Sequence, residues 1–216
     1  MCRSCGRTYF ALSGIGVERC TVCGKVLVSG HGICMQCRMD KLLSHTDIVL
    51  PLYPYRMWNS VLLFRWKIEG ERALSPFFAA RIASALAVLP HPFTVVPVPP
   101  RPGKIRTNGW DQIDELCTFL EYRYGYSVCF LLERGTKKEQ KTLDRKERLA
   151  TIGKAYALKE GKYLKRALRV TNGSMPESVC LIDDVMTTGA TIESCAAALK
   201  SAGVKNVSVV TLFTVD

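Results

Sequence analysis

Short apolar runs alternate with segments of helical periodicity along most of the chain. Five of the apolar runs have the length and composition of buried parallel strands, and they lie at 48–55, 94–98, 128–132, 179–182 and 207–213. Between them, apolar side chains recur at helical spacing after Trp58, from Glu71 to Leu89 and from Ala190 onward. This alternation predicts a parallel α/β sheet with helices on both faces.

Proline and glycine mark the ends of the predicted helices. Pro76 interrupts the 71–89 segment early and Pro90 ends it, whereas Gly203 stands where a C-terminal cap belongs after the last helix. Another helix opens at Gly109-Trp110-Asp111-Gln112, after a loop that begins at Pro99-Pro100.

The apolar run at 179–182 ends in two adjacent carboxylates, Asp183 and Asp184, and a hydroxyl-bearing turn follows before the next helix. Such a turn lies at the carboxyl edge of a sheet, where open α/β folds bind ligands. The helix start offers unpaired N–H groups to a phosphate, and Gly189 permits close approach. The carboxylates repel phosphate but suit ribose hydroxyls, or Mg²⁺ through water. We therefore predict a ribose 5-phosphate site; the alternative is a helix-capping turn without a ligand.

Length and composition favour one mid-sized domain and a small additional module. The chain has 216 residues, 48% of them apolar, which is enough for a substantial core. No apolar run reaches the length of a membrane span, and the N-terminus lacks a signal-peptide pattern. We therefore expect a cytoplasmic protein in a reducing compartment.

Paired cysteines dominate the first 45 residues and predict a metal-binding module. The pairs are Cys2-x-x-Cys5, Cys20-x-x-Cys23 and Cys34-x-x-Cys37. Four thiolates form the tetrahedral set that Zn²⁺ prefers, and we favour Cys20, Cys23, Cys34 and Cys37 as a structural zinc site. Cys2 and Cys5 are alternates that replace another pair, bind a second metal or stay reduced. Disulfides and an iron–sulfur cluster are the rival interpretations.

These patterns divide the chain into a cysteine-rich module at 1–45 and an α/β domain at 46–216. A module of this size is too small for a good core of its own, so a metal would supply the missing stability.

Positive charge is concentrated in one part of the chain. The formal net charge is +11, and 134–169 contains thirteen Lys or Arg against four Asp or Glu. Residues 134–150 lack core periodicity and predict a flexible loop, either a lid over a departing anion or a tether for single-stranded nucleic acid. A solvated surface segment is the simpler alternative. The candidate nucleic-acid contacts are Lys137, Lys138, Lys141, Arg145, Lys146 and Arg148.

Several aromatic side chains cluster around the first predicted helix of the α/β domain. They are Tyr53, Tyr55, Trp58, Phe64 and Trp66. Such residues can stack on nucleobases, but we favour packing in a core or at a domain interface.

The acid pair and the turn together resemble the phosphoribosyl pyrophosphate (PRPP) loop of type I phosphoribosyltransferases. The matching residues are Asp183, Asp184, Val185, Met186, Thr187, Thr188, Gly189, Ala190 and Thr191. The resemblance implies that Asp183 and Asp184 contact the ribose hydroxyls and act in catalysis, while the rest of the loop wraps the 5′-phosphate. Basic residues after the strand at 94–98 then suit the pyrophosphate of PRPP with its Mg²⁺; they are Arg101, Lys104 and Arg106. An ordinary surface loop is the alternative there.

The order of motifs along nearly the full chain resembles the ComF family of competence-associated, phosphoribosyltransferase-like proteins. Cysteine pairs precede Pro97-Val98-Pro99, and the 109–112 motif, the basic run and the PRPP-like loop follow. The chain has Gly109-Trp110-Asp111-Gln112 where the family usually has Gly-Phe-Asn-Gln, and three cysteine pairs where many members have four. The resemblance implies a type I phosphoribosyltransferase-like fold and a role in DNA uptake during natural transformation.

Two functions are compatible with these features. One is a phosphoribosyltransferase that uses PRPP, although no motif identifies its acceptor. The other is a non-catalytic module that keeps the fold and binds single-stranded DNA or docks on a DNA-uptake motor protein.

Overall fold

The structure is a computed structural model that describes residues 18–27, 31–40, 42–90, 92–135 and 155–215. Its strands are β1 (Ile48–Pro54), β2 (Thr94–Pro97), β3 (Leu132–Arg134), β4 (Tyr156–Leu158), β5 (Ser178–Met186) and β6 (Asn206–Thr214). Its α-helices are α1 (Met35–Met39), α2 (Trp58–Lys67), α3 (Ser75–Leu86), α4 (Lys104–Asn108), α5 (Gln112–Tyr124), α6 (Gly161–Ala167) and α7 (Ala190–Ser201). Short 3₁₀ turns cover Arg72–Leu74 and Leu168–Thr171.

A four-stranded parallel sheet in the order β1-β6-β5-β2 forms the centre of the described fold. Strand β5 lies between β6 and β2, and its apolar segment 179–182 is fully buried. A strand that is covered on both faces needs a continuous apolar run and not an alternation of apolar and polar residues. The run at 179–182 has this character. The predicted parallel α/β class is therefore confirmed.

Helices cover both faces of the sheet. Helices α2, α3 and α5 pack on one face around the buried side chains of Trp66, Phe78 and Leu116. Helix α7 covers the other face, where Ile192, Leu199 and the cysteine-bearing segment join a second core cluster. Because the four strands are all parallel, their carboxyl ends lie at the same edge of the sheet.

The structure refines three boundaries that the sequence predicted. Strand β5 extends to Met186, since pairing with β6 continues as far as Met186 opposite Thr214, so the acid pair lies inside the strand. Pro76 stands in the first turn of α3, where no helical N–H is lost, so it does not interrupt the helix. Val128 forms only an isolated parallel bridge with Val95.

Strands β3 and β4 pair antiparallel, and Arg134 lies opposite Tyr156. They hold together the two ends of the segment 136–154, which lies outside the described residues together with all six candidate nucleic-acid contacts. The predicted loop and those contacts therefore stay predictions.

The cysteine-bearing segment docks on the start of β1. Arg19 donates from Nη1 to the carbonyl oxygens of Gly24 (2.7 Å) and Pro51 (2.9 Å). Gly24 has a φ of +69°, and a Cβ built there would lie 1.8 Å from the Val49 carbonyl oxygen. Only glycine fits a backbone that approaches a strand this closely.

We expect Gly24→Ala to destabilise the protein more than Gly32→Ala does. Both glycines have positive φ, so both substitutions cost about 1–2 kcal/mol of backbone strain. Gly32 has open space around its Cβ position, whereas Gly24 must also displace the Val49 carbonyl. Urea unfolding of the two variants at equal zinc concentration measures the difference, and equal midpoints would contradict this account of docking.

Among the described residues, no helix combines the length and apolar character that crossing a bilayer requires.

Candidate functional site

A cleft of about 680 Å³ opens at the carboxyl ends of the parallel strands. Its walls come from the residues after β1 and β2, the end of β5, the start of α7, and one side of α2. Of the predicted site residues, those that line the cleft are Arg101, Lys104, Asp183, Asp184, Val185, Thr187 and Thr191. The other residues predicted to bind PRPP or pyrophosphate are not part of its lining; they are Arg106, Met186, Thr188, Gly189 and Ala190.

Asp184 is held by two partners from other parts of the chain. Its Oδ2 accepts hydrogen bonds from Lys67 Nζ and Gln112 Nε2, each at 2.6 Å, and the residue is 4% exposed. A buried carboxylate needs this charge and hydrogen-bond compensation. Lys67 and Gln112 therefore fix the position of the Asp184 side chain in the floor of the cleft.

The same network continues to the predicted pyrophosphate residues. Lys104 Nζ donates to Asp111 Oδ2 at 2.6 Å and to Gln112 Oε1. Asp111 in turn caps α5 by accepting from the N–H groups of Ile113 (2.9 Å) and Asp114 (3.2 Å). The charge of Lys104 is thus shared with Asp111, whereas Arg101 is exposed at the cleft rim.

Asp183 has a different environment from its neighbour. Its Oδ1 accepts the Asp184 N–H at 2.8 Å, and the residue is half-buried beside the cleft. Its partial burial, followed by repulsion from the Asp184 carboxylate, raises the pKa of Asp183 well above 3.8. A ligand hydroxyl that donates to Asp183, or a cation beside it, would relieve both effects.

The turn after β5 joins the acid pair to α7. Gly189 is the N-cap of α7 with a φ of 87°, and the Ala190 N–H donates to Thr188 Oγ1 at 3.3 Å. Thr187 and Thr188 are exposed to solvent. The turn therefore presents hydroxyl groups and a helix N-terminus beside the cleft, which is an arrangement that attracts phosphate.

Sequence reasoning did not select several residues that line the cleft. Gln112 was noted only as part of the helix start at Gly109–Gln112. Lys67 was not selected because it is the last residue of α2, and no motif around it indicates a binding site. Arg134 and Tyr156 are neighbours across β3 and β4, with the guanidinium 5.3 Å from the ring centroid. Tyr55 and Phe64 also line the cleft, so two of the five aromatics noted in the sequence face it.

Four thiols converge in the N-terminal segment. The sulfur atoms of Cys20, Cys23, Cys34 and Cys37 all lie within 4.8 Å of one another. This set of four soft ligands fits Zn²⁺, so the predicted ligand group is brought together as a candidate metal centre. Cys2 and Cys5 lie outside the described residues. The described cysteines are all free thiols.

Backbone amides already favour thiolate at this centre. The Cys34 N–H donates to Cys20 Sγ at 3.3 Å. Burial raises the pKa of Cys20, but N–H groups from Cys23, Cys34 and Val22 outweigh it and lower that pKa to about 6. Burial raises the pKa of Cys23 to about 11, so a metal cation would have to stabilise the thiolate of Cys23.

Fold and site together define a parallel α/β protein with a four-cysteine module and an acid pair at the carboxyl edge of its sheet. No protein-family model matches the chain. It is 27% identical over 217 residues to the Competence protein ComFC of Streptococcus pneumoniae, an alignment that covers 98% of this chain and 86% of that protein. This likeness over nearly the whole chain supports its assignment to the ComF family, as the order of motifs predicted.

Proposed function

We propose that the cleft binds PRPP with Mg²⁺ and that the protein acts in DNA uptake during natural transformation. The observation that carries the proposal is the placement of Asp183, Thr187 and Thr191 on one cleft at the carboxyl ends of the strands. A ligand with a sugar next to a phosphate can reach all three groups at once. The role in transformation rests on the likeness to the pneumococcal protein, whose name describes it as a competence protein.

Each part of the ligand has a matching group in this arrangement. Asp183 accepts hydrogen bonds from the ribose hydroxyls, and the turn at 187–191 donates to the 5′-phosphate. Arg101 at the rim and Lys104 beside Asp111 face the pyrophosphate and its Mg²⁺. We further propose that Zn²⁺ occupies the four-cysteine centre as a structural metal.

The same geometry supports phosphoribosyl transfer. In that reaction the bond from ribose C1 to the pyrophosphate oxygen breaks while an acceptor forms a new bond to C1. Positive charge develops on the sugar ring, and the fixed negative charge of Asp184 together with Asp183 stabilises it more than the ground state. Lys67 and Gln112 act as positioning residues because they hold Asp184 in place.

Isothermal titration of Mg-PRPP into the protein tests the proposal, with ribose 5-phosphate and pyrophosphate as matched ligands. We expect PRPP to bind more tightly than either fragment, because only PRPP engages both sides of the cleft. Absence of binding by all three would overturn the proposed ligand. Release of pyrophosphate on addition of candidate acceptors separates an enzyme from a PRPP-binding protein.

One observation favours a second function, binding of single-stranded DNA without catalysis. Helix α2 and its flanks carry an exposed apolar stripe with helical spacing, formed by Met57, Val61, Phe64 and Ile68. Trp58 stands beside it and is 64% exposed. Exposed aromatic side chains beside cations are the surfaces on which unpaired bases stack.

We expect Trp58→Ser to weaken binding of single-stranded DNA, because base stacking on one aromatic ring contributes about 1–3 kcal/mol. Fluorescence anisotropy with a labelled oligonucleotide at several salt concentrations measures the loss. Tyr122→Ser serves as the matched control, since Tyr122 is also an exposed aromatic residue but lies on α5 instead of α2. Equal losses in both variants, or none, would exclude α2 as the stacking surface.

A further inference from the structure

The residues that follow the cysteine module pack directly behind the turn at 187–191. Leu43 is buried, and its side chain packs next to Gly189, with Cδ2 3.1 Å from the position that a Cβ on Gly189 would occupy. Position 189 therefore favours glycine for two reasons. Its backbone is in the left-handed region, and Leu43 approaches it closely. Leu43 is not part of the lining of the cleft and belongs to neither the acid pair nor the four-cysteine set.

The metal centre itself reaches the same turn. A narrow crevice of about 20 Å³ separates the module from the end of β5, and it has residues from both sides in its walls. Cys23 and Cys37 line it from the module, and Thr187 and Thr188 line it from the turn. Such a volume holds about one water molecule, so the two parts are in close contact.

Hydrogen bonds to α7 also hold the segment that follows Leu43. Glu193, in the first turn of α7, accepts from Ser44 N at 2.9 Å, Ser44 Oγ at 2.6 Å and His45 N at 3.2 Å. His45 Nδ1 lies 2.6 Å from Glu193 Oε1. Leu43 is thus held between α7 on one side and the cysteine module on the other.

The described part of the module has little regular structure of its own, although Arg19 and Gly24 dock it on β1. Its helix α1 has five residues, none of them buried. Helices this short are unstable in isolation, and small modules of this kind obtain their folding free energy from the bound metal. Loss of the metal therefore removes one of the two supports of Leu43.

We propose that the four-cysteine module is a positioning element for the phosphate-binding turn, and that it acts through the contact of Leu43 with Gly189. The part that concerns ligand affinity rests on the proposed PRPP site. Metal occupancy orders Leu43, Leu43 keeps the turn in its binding conformation, and the turn then binds the phosphorylated ligand more tightly. By linkage, the ligand must stabilise the bound metal by the same factor.

Amide hydrogen exchange tests the structural part without any ligand. The full-length protein is compared with zinc bound and after chelation, with metal content verified. We expect faster exchange in 187–191 and 42–45 without metal, while β6 keeps its protection because it lies in the sheet centre. Unchanged exchange at 187–191 would overturn the proposal. A uniform increase that includes β6 would also overturn it, since the metal would then stabilise the whole fold.

Titration of Mg-PRPP into the same two samples tests the functional part. We expect at least about fivefold weaker binding without metal, within the usual range for coupled sites. Leu43→Ala should weaken binding of Mg-PRPP to the zinc-loaded protein and abolish the difference in affinity between the two samples. Leu43→Met should restore both the tight binding and its dependence on the metal. Equal affinities with and without metal in the wild type would contradict the coupling. If zinc-loaded wild type binds no PRPP, the proposed function fails, and hydrogen exchange still decides the role of Leu43.

Discussion

Asp183→Asn is expected to weaken binding of Mg-PRPP by about 10- to 100-fold and, at the same time, to raise the melting temperature. The affinity falls because hydrogen bonds to a charged acceptor contribute about 1.5–3 kcal/mol, and the neutral amide loses that charge. The stability rises because the wild-type carboxylate is buried beside the Asp184 carboxylate, and asparagine has the same shape without the charge. Calorimetry and thermal unfolding of the two proteins measure both effects.

The pH dependence of stability gives this prediction a definite sign. The pKa of Asp183 is raised in the folded state above the ordinary 3.8, so the folded protein holds a proton that the unfolded chain releases. Stability therefore falls as pH rises from 3.8 towards the raised pKa, and the full penalty persists above it. Asp183→Asn lacks this penalty, so its advantage in melting temperature should grow over that pH range. An advantage that does not change with pH would contradict burial as the cause.

Ligand affinity should have the opposite pH dependence. Asp183 accepts hydrogen bonds from ribose hydroxyls best when ionised, so wild-type affinity for Mg-PRPP rises as the carboxyl loses its proton. The phosphate groups of the ligand also titrate, and Asp183→Asn keeps that contribution while removing the carboxyl. The difference between the two pH profiles therefore isolates Asp183, and superimposable profiles would remove it from the binding site.

Cys23→Ser is expected to reduce bound zinc from about one ion per chain to almost none. The four sulfurs of the centre lie within 4.8 Å of one another, so each thiol is needed to complete a tetrahedral set. Structural zinc sites in small peptides contribute about 10–16 kcal/mol, which makes the loss of one ligand severe. Metal analysis after extensive dialysis measures the zinc content.

Cys117→Ala is the matched control for this substitution. Cys117 is also a buried thiol, but it lies on α5 in the core and outside the four-cysteine cluster. It should lose some stability through a small cavity and retain its zinc. If Cys23→Ser retains one zinc per chain, then Cys23 is not a ligand and the assignment of the four thiols is wrong.

Local patterns predicted most of the sheet because a strand buried on both faces is a local property of the sequence. The runs at 48–55, 94–98 and 207–213 all became parallel strands, and the run at 179–182 became part of β5. The segment at 128–132 was less well predicted: its Val128 makes one bridge to Val95, and regular pairing starts only at Leu132. Edge positions have a partner on one side only, so apolar composition specifies them poorly.

The candidate site was predictable to the extent that its groups are adjacent in sequence. Asp183, Thr187 and Thr191 belong to one strand–turn–helix unit, and the unit's geometry places them on one cleft. Arg106 was selected because it follows β2 in a basic loop, but it does not line the cleft. A basic residue in a helix as short as α4 has no periodic signal that says which way it points.

By itself, the sequence determined the fold class, the acid pair with its turn, and the four-thiol set, because each is encoded by residues close together in the chain. Only the tertiary structure decided that Gln112 donates to Asp184 across 72 positions and that Ser44 binds Glu193 across 149. Such contacts depend on how helices pack against the sheet, and periodicity shows which face of a helix is buried but not which residue it meets. The contact of Leu43 with the turn is likewise decided by tertiary packing and not by local sequence.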